Sequence, residues 1–138
     1  LASLFNSKAK LFVNGRKGLL IKIREDLKHN TAPVLWIHCA SLGEFEQGRP
    51  IIEAFKQDFP TYKVLLTFFS PSGYEVRKNY ALADWVYYLP MDTKSNARQF
   101  IDAVKPALVI FVKYEFWFHY SNTLNKRSIP LLSIASIF

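Results

Sequence analysis

The chain has 138 residues, half of them hydrophobic and 21% charged, with a formal net charge of +7. This size and balance fit one globular domain with a complete hydrophobic core. They exclude a membrane span, since no stretch approaches the ~20 apolar residues one needs, and the lone Cys39 excludes an internal disulfide.

Cys39 stands within an apolar run and reads as a buried small residue rather than a reactive thiol. The chain opens on Leu1 and stops on Ser136-Ile137-Phe138 straight after an apolar run, so it is expected to be a piece of a longer protein. No signal-peptide pattern is present.

Residues 1–30 form a basic, amphipathic helical arm. They hold Lys8, Lys10, Arg16, Lys17, Lys22, Arg24 and Lys28 against Glu25 and Asp26, a net +5, interleaved with Leu4, Phe5, Leu11, Phe12, Leu19, Leu20 and Ile23. Such an arm suits an anionic membrane surface, and it equally suits a pair of surface helices with solvated lysines. Asn14-Gly15-Arg16-Lys17-Gly18 is the turn between the two helices, too irregular for a phosphate loop. A nucleic-acid partner is not expected, because no basic motif interleaved with stacking aromatics appears.

From residue 31 to 138 short apolar runs alternate with segments of helical period, the pattern of βα units on a parallel sheet. The first strand is Val34–Cys39, followed by a Ser41-Leu42-Gly43-Glu44 loop and a helix over Gln47–Phe59 that puts Ile51, Ile52, Phe55 and Phe59 on one face. The second strand, Lys63–Phe68, leads through Ser70-Pro71-Ser72-Gly73 into a short helix over Tyr74–Tyr80. Trp85–Leu89 is a strand and Thr93–Val104 a helix. The strand Ala107–Val112 runs into Lys113-Tyr114-Glu115-Phe116-Trp117, a helix covers Phe116–Lys126, and Leu131–Ala135 is the fifth strand. The expected fold class is therefore α/β, a Rossmann-like doubly wound parallel sheet with the first and fourth strands adjacent where the winding reverses. Ligands bind at such a crevice, and Glu44 and Glu115 would flank it.

Glu44 follows a glycine that permits a tight turn and precedes a helix whose N-terminal amides favour an anion. A carboxylate held there on rigid elements is the best candidate for a general base, the alternative being a helix cap. Glu115, among Tyr114, Phe116, Trp117 and Phe118, needs a partner such as Lys113 or a group of amides, and it fits an orienting role. Tyr114 and Trp117 read as core or as the wall of an apolar groove. His38 reads as a core or cleft histidine. Ser70, Ser72 and Gly73 form a small-residue turn able to hold a phosphate or sugar hydroxyl, or simply to start a helix. No second His or Cys stands at metal-ligand spacing, so no metal site is expected.

Taken together, His38-Cys39-Ala40-Ser41-Leu42-Gly43-Glu44, Thr67-Phe68-Phe69-Ser70-Pro71-Ser72-Gly73, Tyr88-Leu89-Pro90-Met91-Asp92 and Tyr114-Glu115-Phe116-Trp117 resemble the N-terminal half of bacterial Kdo transferases, which add 3-deoxy-D-manno-octulosonic acid (Kdo) to lipid A precursors. The four motifs stand in the right order over nearly the whole chain. The resemblance implies the N-terminal, acceptor-binding domain of a two-domain GT-B glycosyltransferase of lipopolysaccharide biosynthesis, with CMP-Kdo bound mainly by a C-terminal domain that residues 31–138 do not include. It implies inversion by a single displacement without a cofactor or obligatory metal, and an isolated N-terminal half that is inactive.

By the same resemblance Glu44 is the general base that deprotonates the acceptor hydroxyl. Glu115 matches the second family glutamate and, with Ser41, Gly43, Ser70, Ser72, Gly73, Tyr114 and Trp117, binds the acceptor or supports the base. The lipid A precursor is then the partner, at the cytoplasmic face of the bacterial inner membrane, with the chain peripheral or anchored upstream of residue 1. Membrane docking becomes the favoured reading of the arm, with Lys8, Lys10, Arg16 and Lys17 meeting phosphates or headgroups. Two departures stand out. Trp117-Phe118-His119 replaces a common Trp-Pro-Asn, and Ser133-Ile134-Ala135-Ser136-Ile137-Phe138 replaces a segment that commonly holds Asn-Ala-Arg. The competing hypothesis is a stand-alone Rossmann-like binding module that docks on membranes without catalysis.

Overall fold

The structure, a computed structural model, describes the backbone of residues 2–113 and 117–134, with side chains from residue 6 onward. Two helices, α1 (Ala2–Asn14) and α2 (Leu19–Leu27), precede a strict alternation of strands and helices. The order is β1 (Val34–Cys39), α3 (Leu42–Asp58), β2 (Lys63–Phe68), α4 (Pro71–Arg77), β3 (Trp85–Tyr88), α5 (Lys94–Val104), β4 (Leu108–Val112), α6 (Phe118–Lys126) and β5 (Leu131–Ile134). All strand pairs are parallel, in the order β3-β2-β1-β4-β5. This is the expected doubly wound α/β sheet, with β1 beside β4 at the point where the winding reverses.

The strand sequences explain the layering. A parallel strand covered on both faces can be apolar without interruption, and all six residues of β1 are buried. Its side chains alternate between two cores. Val34 and Trp36 join Leu65, Val109 and Phe111 beneath α2, α5 and α6, whereas Leu35, Ile37 and Cys39 join Phe45, Ile52, Leu66 and Ile110 beneath α3 and α4. Trp36 anchors the first core, with ring centroids 4.7 Å from Phe100, 5.5 Å from Phe111 and 5.6 Å from Tyr120. On the other face Gly48 lets α3 approach the sheet, because a Cβ there would lie 2.8 Å from Val112 Cγ2.

Helix boundaries follow local chemistry. Thr93 caps α5 by accepting the Asn96 N–H, and Lys105 ends the same helix in the left-handed region (φ 49°), its N–H bonded to the Ile101 carbonyl. Pro71 starts α4, three residues earlier than the periodicity of Tyr74–Tyr80 suggested. Likewise α3 begins at Leu42, capped by Ser41, rather than at Gln47. An amphipathic pattern marks the buried stripe of a helix, not the first turn before the stripe begins.

The basic arm divides into two unlike helices. In α2 the i, i+4 spacing of Leu19, Ile23 and Leu27 buries all three in the core shared with α5, so this part of residues 1–30 is built into the domain. Residues 6–11 of α1 are exposed. The α1–α2 turn is seated on the sheet edge: a Cβ at Gly15 would stand 2.3 Å from the Tyr88 ring, and Gly18 takes φ 64°.

Candidate functional site

The carboxyl ends of β1, β2 and β3 turn outward into a continuous hydrogen-bonded edge. The Ala40 peptide is its centre. Its N–H donates to Glu44 Oε1 at 2.8 Å, and its carbonyl accepts the N–H groups of Ser70 (2.9 Å) and Phe69 (3.3 Å). The Phe69 carbonyl in turn accepts from Arg16 Nη2 at 2.8 Å, and Arg16 Nε reaches the Leu89 carbonyl at 2.9 Å. One chain of bonds thus ties the loop after β1, the loop after β2, the end of β3 and the α1–α2 turn together.

Glu44 lies inside the first turn of α3 and is 7% exposed. Ser41 Oγ accepts the Glu44 N–H at 3.4 Å, while the Glu44 carboxylate reaches back to Ala40. This is a capping box displaced by one residue, since the reciprocal bond usually returns to the cap residue's own N–H. Capping accounts for one carboxylate oxygen. Among the described residues Oε2 has no hydrogen-bond partner. Gly43 does not serve the tight turn expected of it: it lies in the helix without a positive φ, and a Cβ there would meet only Ser41 Oγ, at 3.9 Å. The side-chain-free position leaves open space beside the helix start.

Ser70 Oγ and Ser72 Oγ lie 2.9 Å apart, exposed, at the start of α4. Gly73 has a packing role, as a Cβ would sit 2.3 Å from the Phe68 ring. Trp117 stacks at a tilt on Phe69 (5.1 Å) and stands perpendicular to His38 (5.0 Å). His38 is buried with Nδ1 2.8 Å from Thr67 Oγ1, which also accepts the Trp36 indole N–H at 2.9 Å. Among the described residues neither His38 Nε2 nor Trp117 Nε1 has a hydrogen-bond partner, although both are buried. Burial, and then the charge of Arg16, push the His38 pKa down to about 3 against the opposing pull of its Thr67 hydrogen bond. His38 is therefore a neutral side chain in the fold. Burial, with the Glu44 charge second, pushes the Cys39 thiol up, which makes it inert as a nucleophile.

Arg16 departs most from its expectation. A headgroup contact would be solvent-facing, but this guanidinium is half-buried, packed 4.0 Å from the Phe12 ring centroid and 5.0 Å from Tyr88, and bonded to the Phe12, Phe69 and Leu89 carbonyls. Desolvation pushes its pKa down to about 10. Lys8, Lys10 and Lys17 are exposed. Tyr114 and Glu115, and with them the expected pairing of two carboxylates across the crevice, lie outside the described residues. Among the described residues no three His, Cys, Asp or Glu side chains group as metal ligands, and no helix is long and apolar enough to cross a membrane. The larger described cavity, about 680 Å³ around Arg24, Pro33 and Lys105, lies towards the amino ends of the strands, away from this edge.

The family model of 3-deoxy-D-manno-octulosonic-acid transferase (kdotransferase) matches residues 14–138. The chain belongs to the Kdo transferase family. The 3-deoxy-D-manno-octulosonic acid transferase of Haemophilus influenzae is 33% identical over 99 residues, 71% of this chain and 23% of the relative. That of Aquifex aeolicus is 37% identical over 95 residues, 68% of this chain and 26% of the relative. A bifunctional glycosyltransferase/methyltransferase of Fusobacterium nucleatum is 28% identical over 130 residues, 92% of this chain and 19% of the relative. The chain thus spans about a quarter of the length of the curated Kdo transferases it matches.

Within this member of the family, several residues important to the edge lack a sequence signal of their own. Thr67 is one threonine in an apolar strand, yet its hydroxyl joins Trp36 to His38. Asp92 caps α6 from a distance, accepting the His119 N–H at 3.1 Å and the Tyr120 N–H at 3.3 Å. The bracing role of Arg16 spans up to 73 positions in sequence. Thr67 and Asp92 carried a hint, Thr67 as the first residue of the Thr67–Gly73 motif and Asp92 as the last of the Tyr88–Asp92 motif.

Proposed function

We propose that this chain is the acceptor-binding half of an inverting glycosyltransferase that moves Kdo from CMP-Kdo to a lipid A precursor, with Glu44 as general base. The observation that carries the reading is the geometry of Glu44: a carboxylate fixed by the Ala40 N–H through one oxygen, at the carboxyl edge of the sheet beside the switch point, with its second oxygen unengaged among the described residues. Family membership supplies the reaction class.

The acceptor hydroxyl hydrogen-bonds to the unengaged oxygen of Glu44. As its oxygen attacks the anomeric carbon of Kdo, the proton passes to Glu44 and the bond from that carbon to the phosphate oxygen of CMP breaks. CMP departs with the electron pair. One displacement inverts the anomeric centre. The donor is held by a C-terminal domain in the full-length protein, and this half alone does not transfer sugar. The Ser70–Ser72 hydroxyl pair and the Trp117 ring offer polar and apolar contacts to a sugar lying along the edge. The exposed face of α1, with Lys8 and Lys10, and Lys17 in the following turn, rests on the anionic cytoplasmic surface of the inner membrane. The test is a transfer assay with the full-length protein, CMP-Kdo and a tetraacylated lipid A precursor, read by mass spectrometry of the lipid. A product heavier by one or more Kdo residues supports the reading. Donor hydrolysis with no modified lipid contradicts it.

A further inference from the structure

A groove of about 430 Å³ opens between α2 and the loop that follows β3, separate from the Glu44 loop. Arg16, Arg24, Ile21, Met91, Asn96 and Gln99 are among its walls, and no carboxylate is among the described residues that line it. Arg16 is half-buried, yet all three of its hydrogen bonds go to neutral carbonyls. A guanidinium withdrawn from water with no counter-charge among the described residues gains more from an anion than an exposed one does. Arg24, exposed on α2, has no ion pair among the described residues, unlike Lys22 and Lys28 on either side of it, which pair with Asp26 and Glu25. The Asn96 and Gln99 amides each use one bond, to the Met91 carbonyl and to Ser95 Oγ, and each keeps an N–H to offer. Ile21 and Met91 are 65% and 43% exposed, an apolar shoulder beside the two cations.

We infer that this groove is a binding subsite for a phosphomonoester carried by an amphiphile, with Arg16 and Arg24 sharing the phosphate and Ile21 and Met91 covering the adjoining apolar part. Two guanidiniums from different elements suit a dianion with three terminal oxygens: Arg24 offers a planar fork of donors, and Arg16 keeps one N–H on each Nη beyond its three carbonyl bonds. A phosphodiester offers only two such oxygens and a single charge. On the transferase reading, on which the identity of the ligand rests, the phosphate is one borne by the acceptor.

Isothermal titration of the full-length protein with octyl phosphate, octyl glucoside and dioctanoyl phosphatidylglycerol, each below its micellar concentration, tests the subsite. Octyl phosphate is expected to bind at least tenfold more tightly than the other two. Arg24→Gln, at an exposed position that holds no hydrogen bond among the described residues, weakens that binding roughly tenfold. Arg16→Lys weakens it too, while Lys126→Gln on α6 leaves it unchanged. Equal affinity for octyl glucoside, equal affinity for the phosphodiester, or an unaltered affinity in Arg24→Gln would overturn the inference. The readout does not depend on sugar transfer. A protein that binds octyl phosphate in this way but modifies no lipid refutes the transferase reading alone, and one that transfers sugar without this binding refutes the subsite alone.

Discussion

The residues around Ala40 divide between holding the fold and remaining available to a substrate. Glu44 holds the fold through one oxygen and, on the proposed function, offers the other to the acceptor, which separates the effects of two substitutions. Glu44→Ala loses the bond from Ala40 N–H and is expected to cost about 1 kcal/mol of stability, measurable by urea unfolding, whereas Glu44→Gln keeps an acceptor oxygen for that bond. Gly43 is a second such position. Alanine there removes the helix cost of glycine and meets only Ser41 Oγ, so Gly43→Ala is expected to stabilise α3 by roughly 0.5–1 kcal/mol. The same methyl group occupies open space beside Glu44, and transfer by the full-length protein should fall at least tenfold. His38 supplies a pH signature. The unfolded chain binds a proton near 6.5 that the folded chain refuses until about 3, so the His38 contribution to stability is constant above that window and falls within it as acid is added. The His38 contribution reaches at most about 1.4 kcal/mol per pH unit, and His38→Asn should flatten the decline by that amount in urea midpoints taken between pH 7 and 4.5.

At the scale of elements, the strands and the Thr93 start of α5 were legible and the starts of α3 and α4 were not. Val34–Cys39 and Lys63–Phe68 stand where their apolar runs place them, because a strand buried on both faces writes its whole length in hydrophobic residues. The first turns of α3 and α4 contain Gly43, Glu44, Ser72 and Gly73, which carry no stripe, so the Glu44 loop was expected as a loop although it is helix. Contacts between elements were less legible still. The close approach of α3 to the sheet at Gly48 predicts that Gly48→Val, with Val112 Cγ2 in its way, costs at least about 2 kcal/mol and lowers the thermal midpoint visibly. Asp92 closes the start of α6 from the β3–α5 connection, so Asp92→Ala should destabilise by about 1 kcal/mol, whereas Asp92→Asn, which retains the acceptor oxygen, should cost less.

For the whole molecule, the parallel order with β1 beside β4 was legible from alternation and from the handedness of crossovers, and it places Glu44 at the carboxyl edge of the sheet. The division of the N-terminal arm was not legible, since α1 and α2 are both basic and amphipathic and only tertiary packing separates an exposed helix from a core one. If α1 and its turn carry membrane contact, replacing Lys8, Lys10 and Lys17 together by Gln in the full-length protein should lower its sedimentation with anionic vesicles, with a loss that shrinks as salt is raised. Arg16 was grouped with those lysines because sequence shows its charge but not the three carbonyls that hold it inward. The assignment of Glu44 is the claim on which the rest depends, and single-turnover kinetics of Kdo transfer by full-length Glu44→Gln test it most directly. The account predicts an unchanged unfolding midpoint and acceptor affinity with the transfer step slowed by about 10²–10⁴-fold. A transfer step within threefold of wild type in that folded variant would contradict it.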